Sequence, residues 1–212
     1  MSISGCTSVL KHDPKVSPVC TESITAEIDW RRSLRGALLG SVPVAIWCFY
    51  RYGVSPLGIA WTLFGTGLIW LALIDAATKL LPDVLTLPLM WAGIVLQLFP
   101  ESRTVGLEAS IWGVIVGYFP LWVLAHVYWF IRKREGLGFG DLKLLAAMGA
   151  WSGPGIIPGV IFLASVLALA GVLFSRKLAG RSAGIAEEFP FGPWIIAAYM
   201  LLVASGIMIP LY

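Results

Sequence analysis

The sequence predicts an all-α, polytopic integral membrane protein, and three observations carry that prediction. Hydrophobic residues make up 58% of the 212 positions and charged ones only 13%, with a mean hydropathy of +0.84. A soluble domain is about 45 to 50% apolar. The apolar residues fall into about seven long runs, transmembrane or partly re-entrant, separated by short polar turns. Finally, if all seven segments cross, the 15 cations divide 13 to 2 between the two sides, as the positive-inside rule requires of a multi-pass protein.

Two regions follow: a polar arm, residues 1–33, and a membrane-embedded region, residues 34–212. The arm carries Lys11, His12, Asp13, Lys15, Glu22, Glu27 and Asp29, and has no apolar core of signal-peptide length. It ends in Asp29-Trp-Arg-Arg-Ser-Leu-Arg35, whose cations and tryptophan suit a helix end at the headgroup level.

The first apolar run, about Gly36 to Tyr50, is short of the roughly 20 residues of a full span and contains Pro43, so it starts within the arm or is kinked. Pro56 to Ile74 is long enough and stops at Asp75. A polar loop, Asp75 to Asp83, leads to a third helix over Val84 to Phe99, with Pro82-Asp83 as its start signal. The fourth run, about Glu108 to Ile131, crosses with some tilt. Leu142 to Trp151 is a short fifth segment, steeply buried or re-entrant, closed by Ser152-Gly-Pro-Gly155. Ile156 to Phe174 is a sixth span, and Trp194 to Tyr212 a seventh after the loop ending Pro190-Phe-Gly-Pro193.

On this threading Lys79, Arg132, Lys133, Arg134, Lys143, Arg176, Lys177 and Arg181 join the five cations of the arm on one side, and only Arg51 and Arg103 fall on the other. The arm and the Pro190–Pro193 loop therefore face the cytoplasm, and the carboxyl terminus faces out. Cys6, Cys20 and Cys48 show no CxxC spacing, so neither a disulfide framework nor a metal site is signalled. No cofactor is implied. The basic charge lies beside apolar runs and reads as membrane anchoring, with no nucleic-acid partner.

Asp75 and Asp141 stand out because both fall at that cytoplasmic face, one ending a helix and the other beginning one. Acids at membrane depth are costly and are functional candidates by default. The helix dipoles act oppositely on them: the negative end of helix two disfavours ionised Asp75, and the positive end of helix five favours ionised Asp141. Brought together, two carboxyls share one proton and can hydrolyse an amide, with Asp141 drawing a proton from water and Asp75 donating one to the carbonyl or leaving amine. Gly136, Gly138 and Gly140 remove side chains at alternate positions just before Asp141, leaving room for an extended substrate strand. Asp83 reads as a helix-start acid, Glu108 and His126 as interfacial or packing residues, and Lys143 as a charge-balancing residue or a cytoplasmic anchor.

These motifs are Ala72-Leu-Ile-Asp75, Leu80-Leu-Pro-Asp-Val-Leu-Thr-Leu-Pro-Leu89, Gly136-Leu-Gly-Phe-Gly-Asp-Leu-Lys-Leu-Leu-Ala146 and Pro190-Phe-Gly-Pro193. In this order they resemble the signature segments of bacterial type IV prepilin peptidases, GxGD-type aspartic proteases of the membrane. The resemblance covers about Leu34 to Tyr212. It implies that Asp75 and Asp141 are the catalytic pair, with Gly136, Gly138, Gly140, Asp83, Lys143, Pro190, Phe191, Gly192 and Pro193 in supporting or substrate-lining roles. It implies an inner-membrane endopeptidase that cuts the short basic leader from a prepilin or pseudopilin after a glycine, serving pilus assembly or type II secretion, with the lipid bilayer as its other partner.

Two departures qualify the resemblance. Full-length members carry a cytoplasmic insertion with two zinc-binding CxxC pairs, and many methylate the new pilin amino terminus; neither pair nor insertion is here, so a peptidase-only form without methyltransferase activity is expected. Ala77 also stands where the family often has a second acid. Two other classes compete: an ion-coupled transporter in which the aspartates relay cations, and a non-enzymatic component of a pilus or secretion machine in which they only cap helices. A transporter of that kind predicts polar midplane residues and interrupted helices in matching halves, and the sequence shows neither.

Overall fold

The computed structural model describes residues 36–100, 104–132, 138–179 and 190–206. The arm, Glu101, Lys133, Arg134, Gly136 and the last six residues lie outside the described residues. Within them the chain forms seven helices: α1 (36–52), α2 (Pro56–Thr78), α3 (Asp83–Leu96), α4 (Leu107–Arg132), α5 (Phe139–Ser152), α6 (Ile156–Ala179) and α7 (Gly192–Ser205). Helices predominate because a bilayer offers no partner for an unpaired peptide group, and a helix satisfies its own.

Local sequence sets the helix ends. Ser55 caps α2, its hydroxyl accepting from the Gly58 N–H at 3.1 Å, with Pro56 at the first position. That helix continues past Asp75 for one further turn and stops at Lys79, which takes a left-handed conformation (φ 57°). The expected polar loop from Asp75 is therefore partly helical, because Ala76, Ala77 and Thr78 extend the hydrogen-bond ladder as readily as apolar residues do. Glycine closes α7 with a positive φ of 67° at Gly206.

Among the described residues, three helices are long and apolar enough to cross a membrane: Pro56–Thr78, Leu107–Ile131 and Ile156–Phe174. The others are shorter, and α3 and α5, at 14 residues each, extend about 21 Å against a hydrocarbon core of about 30 Å. Large apolar side chains such as Leu39, Ile46, Trp112, Phe130, Phe162 and Leu169 are exposed on the outside, which is the surface lipid covers. This is a multi-pass membrane protein.

At the centre is α5, buried continuously from Leu144 to Ser152. It is antiparallel to α4 and meets it backbone to backbone: a Cβ added at Gly113 would overlap the Gly149 carbonyl, one at Gly149 would overlap the Gly113 carbonyl, and one at Gly117 would lie 2.6 Å from the Leu145 carbonyl oxygen. Gly113 and Gly117 form a GxxxG pair, the small-residue spacing that lets membrane helices approach closely. Alongside α3, the α5 axis runs parallel, pinned at the far end by Trp151, whose Nε1 donates to the Leu89 carbonyl at 2.8 Å.

Trp151 also stacks on Phe64 of α2 at 4.2 Å and meets Trp61 edge-on at 5.5 Å, while Tyr199 of α7 hydrogen-bonds Ser152 at 2.6 Å. Packing of this kind, rather than water exclusion between helices, holds a membrane bundle together. Buried Gln97 closes the same end, its Oε1 accepting the N–H groups of Thr104, Val105 and Gly106 at 3.0 to 3.3 Å.

Candidate active site

Helices α2 and α5 run in opposite senses, so the last turn of α2 and the first turn of α5 lie at the same end of the bundle. The N-termini of α3 and α7 reach that end too, marked by the contacts Lys143–Asp83 and Gly192–Asp75. The tips of α4 and α6 project beyond it. His126 of α4 faces the Phe139 ring at 6.3 Å, and Trp194 of α7 lies against Gly171 of α6. From those levels α4 continues six residues to Arg132 and α6 eight to Ala179, roughly 9 to 12 Å of helix at 1.5 Å per residue. The aspartate end is thus recessed below the tips.

Asp75 is 5% exposed, and its Oδ2 accepts the backbone N–H of Gly192 at 3.1 Å. That donor is one of the N–H groups left free at the start of α7, where the helix dipole is also positive. Gly192 is required there, because a Cβ would sit 2.6 Å from the same oxygen. From the sequence, Gly192 belongs to a loop with a supporting or substrate-lining role. The structure makes it, with Pro193, the first turn of a helix and the direct partner of Asp75. The signal was present in Pro-Phe-Gly-Pro, since proline is favoured in the first turn of a helix.

Replacing Gly192 with alanine is expected to lower activity about a hundredfold by displacing the Asp75 carboxyl by about 1 Å, while melting temperature changes little. Measuring cleavage rate and thermal unfolding on the same preparation checks this, and an unchanged rate refutes the role of the contact.

Asp141 is the third residue of α5, outside the three spanning helices and partly accessible. Burial first, and then the negative charge of Asp75, push its carboxyl up to about 7. The structure therefore brings into one electrostatic site two acids 66 positions apart in the sequence. The dipole of α5, which favours ionised Asp141, is outweighed by burial together with the like charge.

The supporting residues divide. Gly138 is the α5 N-cap position, and a Cβ there would meet the Asp141 Oδ2 at 3.5 Å, an ordinary contact distance. The space over Gly140 is taken by Leu81, whose Cβ would lie 2.8 Å from an added Cβ. Gly140 thus admits the chain's own side chain. Pro190 and Phe191 lead directly into α7.

Asp83 does begin α3, but makes no capping bond there; its carboxylate takes both oxygens to the Lys143 ammonium at 2.6 and 2.7 Å. Lys143 consequently ties α5 to α3 beside the recessed end. Both side chains are partly solvated, at 28% for Lys143 and 54% for Asp83. Breaking the pair with Asp83→Asn is expected to cost under about 1 kcal/mol, read as a small shift of the unfolding midpoint in detergent; a loss several times larger overturns this assignment.

Comparison with known proteins agrees with the arrangement. The model of the type IV leader peptidase family matches residues 62–173, which contain both aspartates and more than half of the chain. The chain is 37% identical over 168 residues to a prepilin leader peptidase/N-methyltransferase of Dickeya chrysanthemi, covering 79% of this chain and 57% of the relative. It is 35% identical over 183 residues to the one of Neisseria gonorrhoeae (84% and 59%), and 42% identical over 145 residues to that of Burkholderia pseudomallei strain 1026b (68% and 46%). The chain thus spans less than two thirds of the length of these relatives. No solved structure matches it. With its two motif aspartates gathered at one end of a helical membrane bundle, the chain belongs to the type IV leader peptidase family.

Proposed function

We propose that this protein is an intramembrane aspartic endopeptidase that removes the short basic leader of a prepilin or pseudopilin. The observation that best supports the reading is the placement of Asp75 and Asp141, from helices far apart in the sequence, within electrostatic reach of one another at one recessed and partly accessible end of the bundle. The names of the relatives support the substrate class. The 13 to 2 division of cations supports a cytoplasmic active site in the inner membrane, with the arm on the same side.

In this reading the pair holds one proton near neutral pH, and the geometry favours its resting on Asp141. Asp75 already receives an N–H donor that suits a carboxylate, so Asp75 is the base and Asp141 the acid, the reverse of the sequence-based division. Asp75 takes a proton from water as its oxygen attacks the scissile carbonyl carbon, and Asp141 gives its proton to the carbonyl oxygen. Collapse of the tetrahedral adduct returns a proton to the leaving amine as the C–N bond breaks.

Absence of the paired CxxC motifs from the sequence supports cleavage without methyl transfer. The test is incubation of the purified protein in detergent with a prepilin and a methyl donor, followed by mass spectrometry of the product. Leader removal with no added methyl group is the expected result; an uncut prepilin overturns the reading.

A further inference from the structure

Lys143 stands two positions after Asp141 on α5. Residues so spaced point to diverging sides of a helix, which places the ammonium roughly 10 Å from the Asp141 carboxyl. Lys143 turns towards α3, where it lines an apolar groove with Leu87 and Met90 of α3 and Tyr118 and Phe119 of α4. A cation against such a wall is incompletely hydrated, so its field is screened less than that of a charge in open water. Asp83 meets it there with both carboxylate oxygens, at 2.6 and 2.7 Å. Leu81 packs over Gly140, so the stretch 81–83 runs alongside the stretch 140–143 and the ion pair is held next to the acid.

An unbalanced cation at that place works against an acid that must keep its proton. Burial and then the charge of Asp75 raise the Asp141 carboxyl, and no cation offsets them. One unit charge about 10 Å away, at an effective dielectric of about 40, moves an acid by roughly half a pH unit. The other groups around Asp141 do not balance Lys143. Asp75 of α2 holds the Gly192 N–H of α7, and Lys79, at the end of α2, is exposed. On α4, the His126 Nδ1 is engaged with the Trp122 carbonyl at 2.9 Å, and Tyr118 carries no charge at neutral pH. The described side chains of α6 include no titratable group. Among the described residues, Asp83 is the one carboxylate paired with Lys143.

We propose that Asp83 is a positioning residue for the Asp141 proton: it holds the Lys143 ammonium on the α3 side and cancels its charge, so that Asp141 stays protonated as the acid of the reaction. The ion pair thereby does more than tie two helices together. This inference rests on the reading of Asp141 as the acid of the proposed peptidase. It gives the two partners opposite effects on one proton, which a merely structural tie does not: loss of Asp83 leaves a cation that favours ionised Asp141, and loss of Lys143 leaves an anion that disfavours it.

Infrared titration of the full-length protein in detergent tests this, following the protonated-carboxyl band that Asp141→Asn removes, with the pH profile of prepilin cleavage measured in parallel. Asp83→Asn should move the Asp141 titration, and with it the alkaline limb of the profile, down by about half a pH unit. Lys143→Gln should move both up by about as much. The double variant Asp83→Asn/Lys143→Gln should return to the parental titration, and Asp83→Glu, which keeps the charge, should stay close to it. The inference is overturned if Asp83→Asn leaves the titration in place or raises it, if the two single variants shift it in the same direction, or if the double variant fails to restore it. The infrared band reads the proton whether or not prepilin is cut. The stated shifts in proteins that leave prepilin uncut therefore uphold the action of Asp83 on Asp141 and overturn the peptidase reading instead.

Discussion

Asp141→Asn is expected to lower leader cleavage roughly a hundred- to ten-thousandfold, the range that one positioned acid or base supplies, and to make the folded protein more stable at alkaline pH. The two effects have one origin. Folding moves Asp141 from its ordinary value of 3.8 up to about 7 through burial and the charge of Asp75. The folded state therefore binds a proton more tightly than the unfolded one. The sign is that of a raised acid: no penalty below the unfolded value, a penalty that grows as pH rises from there to about 7, and a constant penalty above. At roughly 1.4 kcal/mol per unit, its upper bound is about 4 kcal/mol.

An asparagine has no charge to bury, so its stability gain should be largest at pH 8, shrink at pH 5, and disappear near pH 4. Thermal unfolding in detergent across that range, with cleavage assayed in parallel, reads both. Asp75→Asn is expected to be as inactive, but to act on its neighbour as well. With the like charge gone, the Asp141 titration should fall below about 7 while remaining above its ordinary value, since burial remains. If either variant cleaves at the parental rate, or if the Asp141 titration is indifferent to Asp75, the two acids do not act as a pair.

Much of this arrangement was legible in the sequence, for identifiable reasons. Apolar runs mark helices in a membrane protein because no other open structure is permitted there, which is why seven segments were found where seven helices occur among the described residues. Asp75 and Asp141 were legible because a carboxylate next to such a run is rare and costly. The extension of α2 beyond Asp75 is not legible in the sequence, because an acid at the end of an apolar run reads as a helix end, whereas Ala76-Ala-Thr78 continues the helix.

The roles of Asp83, Gly140 and Gly192 were not legible for a different reason. Each is decided by a partner distant in the chain: Lys143, Leu81 and Asp75 respectively. Capping rules describe what an acid does within its own helix and are silent about an ammonium approaching from another. The GxxxG pair of Gly113 and Gly117 was readable, but its spacing alone does not tell which helix it faces.

That facing helix makes the second large prediction. An alanine at Gly113 is expected to destabilise the bundle by about 3 kcal/mol or more, at the upper end of what overpacking costs, and a leucine to leave no monodisperse folded protein. The new Cβ would overlap the carbonyl of Gly149, and backbone cannot swing aside as a flexible side chain does. Relief requires α4 and α5 to separate. Gly149→Ala meets the Gly113 carbonyl in the same contact, so the two substitutions relieve one clash by one movement, and the double variant should lose less than the sum of the singles. Gly155→Ala, where nothing lies within 4 Å of an added Cβ, provides the control and should stay within about 0.5 kcal/mol of the parent. Denaturant unfolding in detergent measures all four. Because α5 carries Asp141 in its first turn, whatever fraction of Gly113→Ala folds should also cleave poorly; a variant that is stable and fully active would show that α4 and α5 do not touch through these glycines.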